Sequence, residues 1–389
     1  MPLLEVTSPE LSLEFIAFPV RLYRDDPHYI RPLDKDIEQV FDSKKNKLLR
    51  EGSTCIRWLL TNDQGQTIGR VAAFVNHKTA PTYEQPTGGM GFFDCIDDQS
   101  AADTLLEACH KWLKNKGMEA MDGPINLGDR DKWWGLLVED FSEPTYAVNY
   151  NFPYYQRLFE TYGFCEFYRQ YTYFRWVDEK LTPEYQAKAE AILKDPDYHF
   201  EHVRKNNLAK YAEDFRRIYN QAWVKHEGVK EMTAEQALKV MNSMKPVLDE
   251  KIVWFAYYQQ QPVGFFIGLP ELNQWFKHVN GKLDLIGKLK VAYHRWRGTN
   301  KTMYGIAFGL TPEHQGKSVE AALITAASHT VQDKSKVHYV DFYMNWIGDF
   351  NPKMMAVAEQ IGGRIAKIHI TYRYLFDREK EFKRMEAIQ

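Results

Sequence analysis

The sequence predicts a mixed α/β fold made of two tandem copies of one domain, each a twisted mixed sheet flanked by helices. One observation is a repeated order of patterns, hairpin, strand, helix, strand, helix, strand, that runs twice along the chain. Another is glycine spacing: Gly69 matches Gly264 and Gly163 matches Gly362, offsets of 195 and 199 residues. The third is length, because 389 residues at about 150 per domain admit two or three domains and the repeat selects two. The expected boundaries are 1–178 for the first domain, 179–197 for a polar, partly helical linker and 198–389 for the second.

Each element follows from a local signal. An amphipathic stretch from Ser12 to Val40 leads the first copy, and helices between Asn207 and Asp249 lead the second. Asp63-Gln64-Gly65 turns the chain into a strand over Ile68 to Val75, and Gln259 to Leu269 repeats that hairpin. A strand and a helix follow in both copies. The first helix carries Ala102, Leu105, Leu106, Cys109 and Leu113 at helical spacing, the second Val319, Ala322, Leu323, Ala326 and Ala327. Each copy then closes with a strand, a helix opened by an Asn and a Pro, a glycine stop and a last strand. These read GPINL, NFPYYQRLFETYGF and YRQYTYFRW in the first copy, and VHYVDFYMNWI, NPKMMAVAEQIGG and IHITYRYLF in the second.

Composition narrows the function. With 44% hydrophobic and 26% charged residues the chain is ordinary globular material. Fifty Lys and Arg against 52 Asp and Glu leave a net charge of −2, so no nucleic-acid partner is expected. Cys55, Cys95, Cys109 and Cys165 form no CxxC pair and no finger spacing, which points to reduced structural thiols and no metal. Acidic residues break up the apolar N-terminal segment, unlike a signal peptide. The most apolar stretch, Ile252 to Leu269, is interrupted by Gln259, Gln260, Gln261 and Pro262, short of the ~18 residues of a spanning helix. A cytoplasmic location is expected, either free or peripheral to the inner face of the membrane. The 14% aromatic content is high enough to suggest a lined cleft or an acyl chain.

The sharpest local signal runs from Leu310 through Thr311-Pro312-Glu313-His314-Gln315-Gly316-Lys317-Ser318-Val319-Glu320. A short basic turn entering a helix presents free backbone N–H groups and the positive end of the helix dipole, a good seat for pyrophosphate. The run resembles motif A of the GNAT acyltransferase superfamily, V-x-P-E-x-(Q/R)-G-x-G-x-(G/A). Gln315, Gly316 and Lys317 match, whereas Ser318 and Glu320 stand where the two later glycines would be. The resemblance implies two tandem GNAT-like domains with acetyl-CoA or acyl-CoA as co-substrate. It assigns Leu310 to the pantetheine and Gln315, Gly316, Lys317, Ser318, Val319 and Glu320 to the pyrophosphate. The matching turn of the first copy, Asp94 to Ser100, has three acids and no glycine. It is expected to repel pyrophosphate and to cap its helix with Asp98 or Ser100.

Further runs narrow the resemblance. Gly123-Pro124-Ile125-Asn126, Gly135-Leu136-Leu137-Val138-Glu139, Asn151-Phe152-Pro153-Tyr154-Tyr155, Tyr219-Asn220-Gln221-Ala222-Trp223, Leu269-Pro270-Glu271-Leu272-Asn273 and Trp346-Ile347-Gly348-Asp349-Phe350-Asn351 are similar to a bacterial tandem-GNAT family. That family is close to the bacterial ceramide-synthase group, which N-acylates sphingoid bases. The resemblance implies transfer to a small-molecule or lipid amine, with Trp223, Asn126, Asn149 and Trp346 around the acceptor. GNAT enzymes commonly place an acidic tyrosine four residues before the glycine of the last helix, but here those positions are Ala358 and Phe159. Tyr154, beside Tyr155, is the candidate phenol, with core or interface packing and a satisfied hydroxyl as the other role open to both. Glu227 is the first candidate base, His226 and His314 are its alternatives, and Asp349 is the third catalytic candidate. Capping alone accounts for Asn351. The rival reading is a module whose two copies have lost their chemistry and retain only ligand or protein binding.

The stretch from Glu271 to Lys301 is an insert between two strands of the second copy. It holds seven Lys or Arg against two acids, interleaved with Trp275, Phe276, Leu285, Ile286, Leu289, Tyr293 and Trp296. Two readings fit it: a helical lid packed on its own domain, or a basic amphipathic segment lying on an anionic membrane surface or covering an acyl chain.

Overall fold

The computed structural model of the chain describes residues 1–82, 84–223 and 231–388. Its first half runs β1 (Leu3–Glu5), α1 (Pro9–Leu22), α2 (Asp34–Phe41), the single turn α3 (Lys47–Arg50), β2 (Thr54–Thr61), β3 (Thr67–Val75), β4 (Thr87–Cys95), α4 (Gln99–Asn115), β5 (Ala120–Gly123), β6 (Leu136–Glu139), α5 (Tyr154–Tyr162) and β7 (Cys165–Trp176). Helix α6 (Pro183–Lys194) leads to the second half. That half comprises β8 (Tyr198–His202), α7 (Leu208–Trp223), α8 (Ala234–Met244), β9 (Val253–Tyr258), β10 (Gln261–Pro270), α9 (Asn273–Phe276), α10 (Leu285–Trp296), β11 (Thr302–Leu310), α11 (Val319–Val331), β12 (Asp341–Gly348), α12 (Pro352–Gln360) and β13 (Arg364–Leu375). No helix among the described residues is long and apolar enough to cross a membrane.

The helical stripes fix the layers. Ala102, Leu105, Leu106, Cys109 and Leu113 of α4 are all fully buried, as are Val319, Ala322 and Leu323 of α11, so each crossover helix presses its apolar face onto the sheet. Gly163, at φ 111°, ends α5 in the left-handed region, and Gly362, at φ 87°, follows the end of α12. The expected linker is not a loose tether. Tyr185 and Ala189 of α6 are buried in one cluster with Ala321 and Ala322 of α11, and Gln332 donates to the carbonyls of Val177 and Glu179.

One continuous sheet spans both halves, in the order β1-β2-β3-β4-β5-β13-β7-β12-β11-β10-β9-β8, with β6 pairing β13. Each half contributes one parallel pair, β4 with β5 and β11 with β12. The closing strands do not complete their own halves. Strand β7 of the first half pairs with β12 of the second, and β13 of the second pairs with β5 of the first, both antiparallel. The two twelve-residue strands also pair with each other, from Arg364 opposite Phe174 to Arg373 opposite Cys165. This exchange buries both strands at the centre of the sheet. Buried pairs seal it: Arg373 chelates Asp122 of β5 at 2.6 and 2.8 Å.

Candidate active site

The parallel pairs are where the two halves part. In both, hydrogen bonding stops early: β4 and β5 pair over Thr87–Gly89 and Ala120–Asp122, β11 and β12 over Thr302–Gly305 and Asp341–Met344. Beyond that the strands splay, and the carboxyl ends of β4 and β11 turn unpaired edges to the gap. The register equates Cys95 with Leu310, since Cys95 lies opposite Gly69 and Leu310 opposite Gly264. Ile96 and Thr311 each donate back to the neighbouring strand, to Ile68 and Val263. By alternation, the N–H and C=O of Cys95 and of Leu310 face the splay.

In the first half that space is filled. The chain after β5 stays against β4: Ile125 N–H donates to the Met90 carbonyl at 2.8 Å, and a Cβ on Gly91 would meet the Ile125 carbonyl at 1.9 Å. Tyr154 donates to the Cys95 carbonyl at 2.7 Å and the Cys95 N–H donates to the Tyr155 hydroxyl at 2.9 Å, which consumes both backbone groups. Behind them Tyr23 donates to Asp94 at 2.9 Å and shares a 3.1 Å bond with Tyr155, while Arg70 bonds Asp94 at 2.7 Å. Burial drives the phenols of Tyr23 and Tyr155 well above the usual tyrosine range, with the Asp94 charge adding to it. Asp98 accepts from Ala101 N–H at 2.9 Å and closes the N-terminus of α4. An aromatic cluster lies here, with Tyr29 and Phe152 stacked on Tyr23 and Tyr150 edge-on to it.

In the second half the same space is open. An apolar groove of about 600 Å³ runs between the splayed β11 and β12 and the inner faces of α11 and α12, walled by Met303, Phe342, Ile324, Val331, Met344 and Val357 among others. Ser318 precedes α11 without any side-chain cap bond, so no capping side chain takes up the first-turn N–H groups of this thirteen-residue helix. Gly316 at φ 71° and Ser318 at φ 61° both take the left-handed conformation. Ser318 therefore reproduces the backbone that a glycine would supply. Gln315 folds back to donate to the Leu310 carbonyl at 3.1 Å, and Lys317 is exposed at the turn. Val319 is fully buried in the root of α11. Glu320 lies close enough to Tyr185 of α6 that its charge, after burial, helps to raise that phenol. His314 accepts or donates at 2.9 Å with Tyr198, and burial and Lys317 lower its pKa.

The remaining expected residues fall in different places. Trp346 lines the groove, but its indole N–H donates to the Arg130 carbonyl at 2.9 Å, pinning a loop of the first half to β12. Asn149 lines a smaller cavity of about 70 Å³ in the first half, with its amide on the Gly135 carbonyl at 2.7 Å. Asn126 is buried with an unpartnered Oδ1 and lines neither space. Tyr154 belongs to the filled splay of the first half and not to the groove. Asp349 pairs with Arg384 at 2.7 Å beside the groove, and Asn351 caps α12 by accepting from Met354 N–H at 3.2 Å. Ala358 lines the groove and Phe159 is buried in the first core, so neither position brings a hydroxyl to the site. His226, Glu227 and the side chain of Trp223 lie outside the described residues.

Sequence reasoning passed over Asp131. It sits in Gly128-Asp129-Arg130-Asp131-Lys132-Trp133-Trp134, the loop that Trp346 pins, and it is the only carboxylate among the described residues lining the groove. The residue is exposed at the groove. The protein around the carboxyl nevertheless desolvates it enough to push it above the ordinary aspartate range, Lys132 opposes this and Asp129 adds to it. The same carboxylate borders a narrow space of about 10 Å³ shared with Trp133, Val148, Asn345 and His369, which points toward the cavity of the first half. The available signal was a charged loop bracketed by glycine and paired tryptophans.

Two splayed parallel pairs, each with a crossover helix over the splay and a closing strand beside it, define the tandem GNAT fold. The protein of that kind from the clavulanic acid biosynthesis pathway superimposes with a TM-score of 0.54 at 9% identity, over 96% of this chain and 98% of that one. The GCN5-related glucosamine N-acetyltransferase region of a fungal multi-domain β-N-acetylglucosaminidase gives a TM-score of 0.55 at 12% identity, over 96% of this chain but 38% of that longer one. Among curated proteins, this chain is 25% identical to Protein YghO of Escherichia coli strain K12 over 92% of its length and 91% of the relative. It is 24% identical to bacterial ceramide synthase of Caulobacter vibrioides over 96% of its length and 97% of the relative. No model of a known protein family matches the chain.

Proposed function

We propose that this protein is an N-acyltransferase that moves an acyl group from acyl-CoA to an amine, with the donor held by the second half. The observation that carries the reading is the asymmetry of the splays. One half has a helix N-terminus without a side-chain cap, a left-handed basic turn before it and a large apolar groove along the later turns of the same helix; the other has both backbone groups of Cys95 bonded and its helix capped. The turn from Gln315 to Ser318 and the first N–H groups of α11 suit a pyrophosphate, and the free edge of β11 suits the amides of pantetheine. The groove is long and apolar enough for an extended acyl chain. Together with the similarity to bacterial ceramide synthase along nearly the whole chain, it supports a lipid amine as acceptor.

The chemistry then follows from the residues at the groove mouth. The amine lone pair attacks the thioester carbonyl carbon, a C–N bond forms, and the oxyanion is met by an N–H on the open edge of β11 where Ile306 to Phe308 line the groove. The C–S bond breaks and CoA leaves as its thiolate. The proton lost by the attacking nitrogen goes to the Asp131 carboxylate, whose raised pKa makes it a stronger base than an exposed aspartate. A groove without a tyrosine acid leaves the thiolate to be protonated by solvent.

Calorimetric titration of the full chain with acetyl-CoA and with a long-chain acyl-CoA tests the reading. Binding of the long-chain form, weakened about tenfold or more by Gln315→Glu with Lys317→Glu, is expected. Absence of binding by either at millimolar concentration sinks it. Binding without turnover on any amine would leave the rival, a ligand-binding module.

A further inference from the structure

The insert does not cover the groove, since none of its residues lines it. Its first part is anchored to the first half. Asn273 donates to the Pro144 carbonyl at 2.9 Å, Lys277 pairs with Glu143 at 2.9 Å, and Asp34 N–H donates to the Gly281 carbonyl at 2.9 Å. Trp275 and Phe276 are buried with Leu33. Its second part, α10, is the opposite case. That helix rests on the protein through Gly287, Val291 and His294, with Arg295 reaching back to the Pro246 carbonyl: Gly287 is buried, Val291 and His294 are half-buried, and His294 stacks on His278 at 3.7 Å.

At about 100° per residue, Leu285, Leu289 and Trp296 stand within roughly 30° of the direction opposite that seat. They are 74, 62 and 79% exposed, with Ile286 at 66% and Tyr293 at 54% on one shoulder. The helix thus turns its apolar crest outward, the reverse of a surface helix serving its own core. Lys288 flanks the crest on one side and Lys290 and Arg297 on the other, Lys282 precedes it, and Arg295 turns back to the Pro246 carbonyl. The sole acid of this stretch, Asp284, is committed as the N-cap, accepting from Gly287 N–H at 2.8 Å.

We propose that α10 lies in the surface of an anionic lipid bilayer, with Leu285, Leu289 and Trp296 among the acyl chains and the flanking cations on the headgroups. An apolar ridge with exposed cations on both flanks is complementary to such a surface. Because α9 and the turn before α10 are tied to the first half, the whole molecule is held at the membrane in one orientation, with its groove unobstructed. This goes beyond the acyltransferase reading and does not depend on it, since lipid attachment requires neither acyl-CoA nor turnover.

Vesicle co-sedimentation of the full chain tests the proposal. Pelleting is expected with phosphatidylcholine vesicles containing about a quarter phosphatidylglycerol, weakening as salt rises toward ~0.5 M. Leu289→Glu with Trp296→Glu is expected to lower partitioning at least ~tenfold, and so is Lys288→Glu with Lys290→Glu and Arg297→Glu. All five residues are exposed, and an unchanged melting temperature would show that the variants fold. Pelleting equal to the parent in the Leu289/Trp296 variant overturns the proposal, as does pelleting independent of anionic lipid or none at all. A vesicle-free dimer in sedimentation velocity, lost in that same variant, overturns it in favour of a second copy of the chain on the crest.

Discussion

The two crossover units share a topology and a strand register, yet one is a packed core and the other a groove. The difference lies in few residues. Gly91 lets the chain after β5 lie across β4, and Tyr154 and Tyr155 consume both backbone groups of Cys95. At the equivalent Leu310 the carbonyl accepts from the Gln315 side chain of the following turn. Asp98 closes one helix, while Ser318 leaves the other open. A fold with an intrinsic gap between splayed strands thus yields a site only where side chains refrain from filling it. In the filled copy that gap becomes a polar network that ties α1 to β4.

Breaking the filled copy should cost the most. Asp94→Ala removes the partner of buried Arg70 and an acceptor of Tyr23, so a loss of about 3–5 kcal/mol is expected in chemical denaturation, with no gain of acyl-CoA binding in the first half. At the open groove, Asp131→Asn should lower kcat by about 10²–10³-fold while acyl-CoA affinity stays close to that of the parent, read by steady-state kinetics beside calorimetry. A parallel fall in affinity would instead make Asp131 a binding residue.

The seam between the halves should respond to pH. His369 of β13, buried and bonded through Nε2 to the Asn149 carbonyl at 3.0 Å, has its pKa lowered by burial to about 4. The unfolded chain binds its proton near pH 6.5, so the stability His369 contributes is present above that pH and is lost as pH falls from about 6.5 toward about 4, on the order of 3 kcal/mol. Glu271, raised by burial to about 7, runs the other way: its contribution is present below about pH 4.5 and lost as pH rises through 7. The clean measurement is therefore the difference between parent and His369→Gln in denaturation midpoint across that range, which should shrink toward low pH. The smallest effect belongs to the turn. Ser318→Gly should change stability by less than about 1 kcal/mol and keep acyl-CoA binding, whereas Ser318→Val should cost about 1–2 kcal/mol and weaken binding. Equal behaviour of the two would remove the left-handed turn from the comparison.

Much of this was legible along the chain. The stripes of α4 and α11, the Asp98 cap and the glycine stops are local, and their signals lie within a few residues of the structure they produce. Ser318 and Glu320 read as departures from a glycine pattern, yet backbone conformation at Ser318 keeps the turn. Whether a serine adopts φ 61° depends on what surrounds it. Asp131 was missed because its meaning comes from Trp346, more than two hundred residues away, which holds its loop over another copy's groove. Of the two roles the sequence leaves to Tyr154, a phenol on a cleft or packing with a satisfied hydroxyl, its bond to the Cys95 carbonyl fits the second.

Sequence by itself determined the two copies, the order of their elements and the one turn with the chemistry of an anion seat, because periodicity, caps and glycines act over one or two turns of chain. Only the tertiary structure decided that β7 and β13 change places, that one splay is sealed and the other open, and that the crest of α10 faces outward. Those outcomes depend on which edge a strand meets and which face a helix presents, and pairs distant in sequence set both.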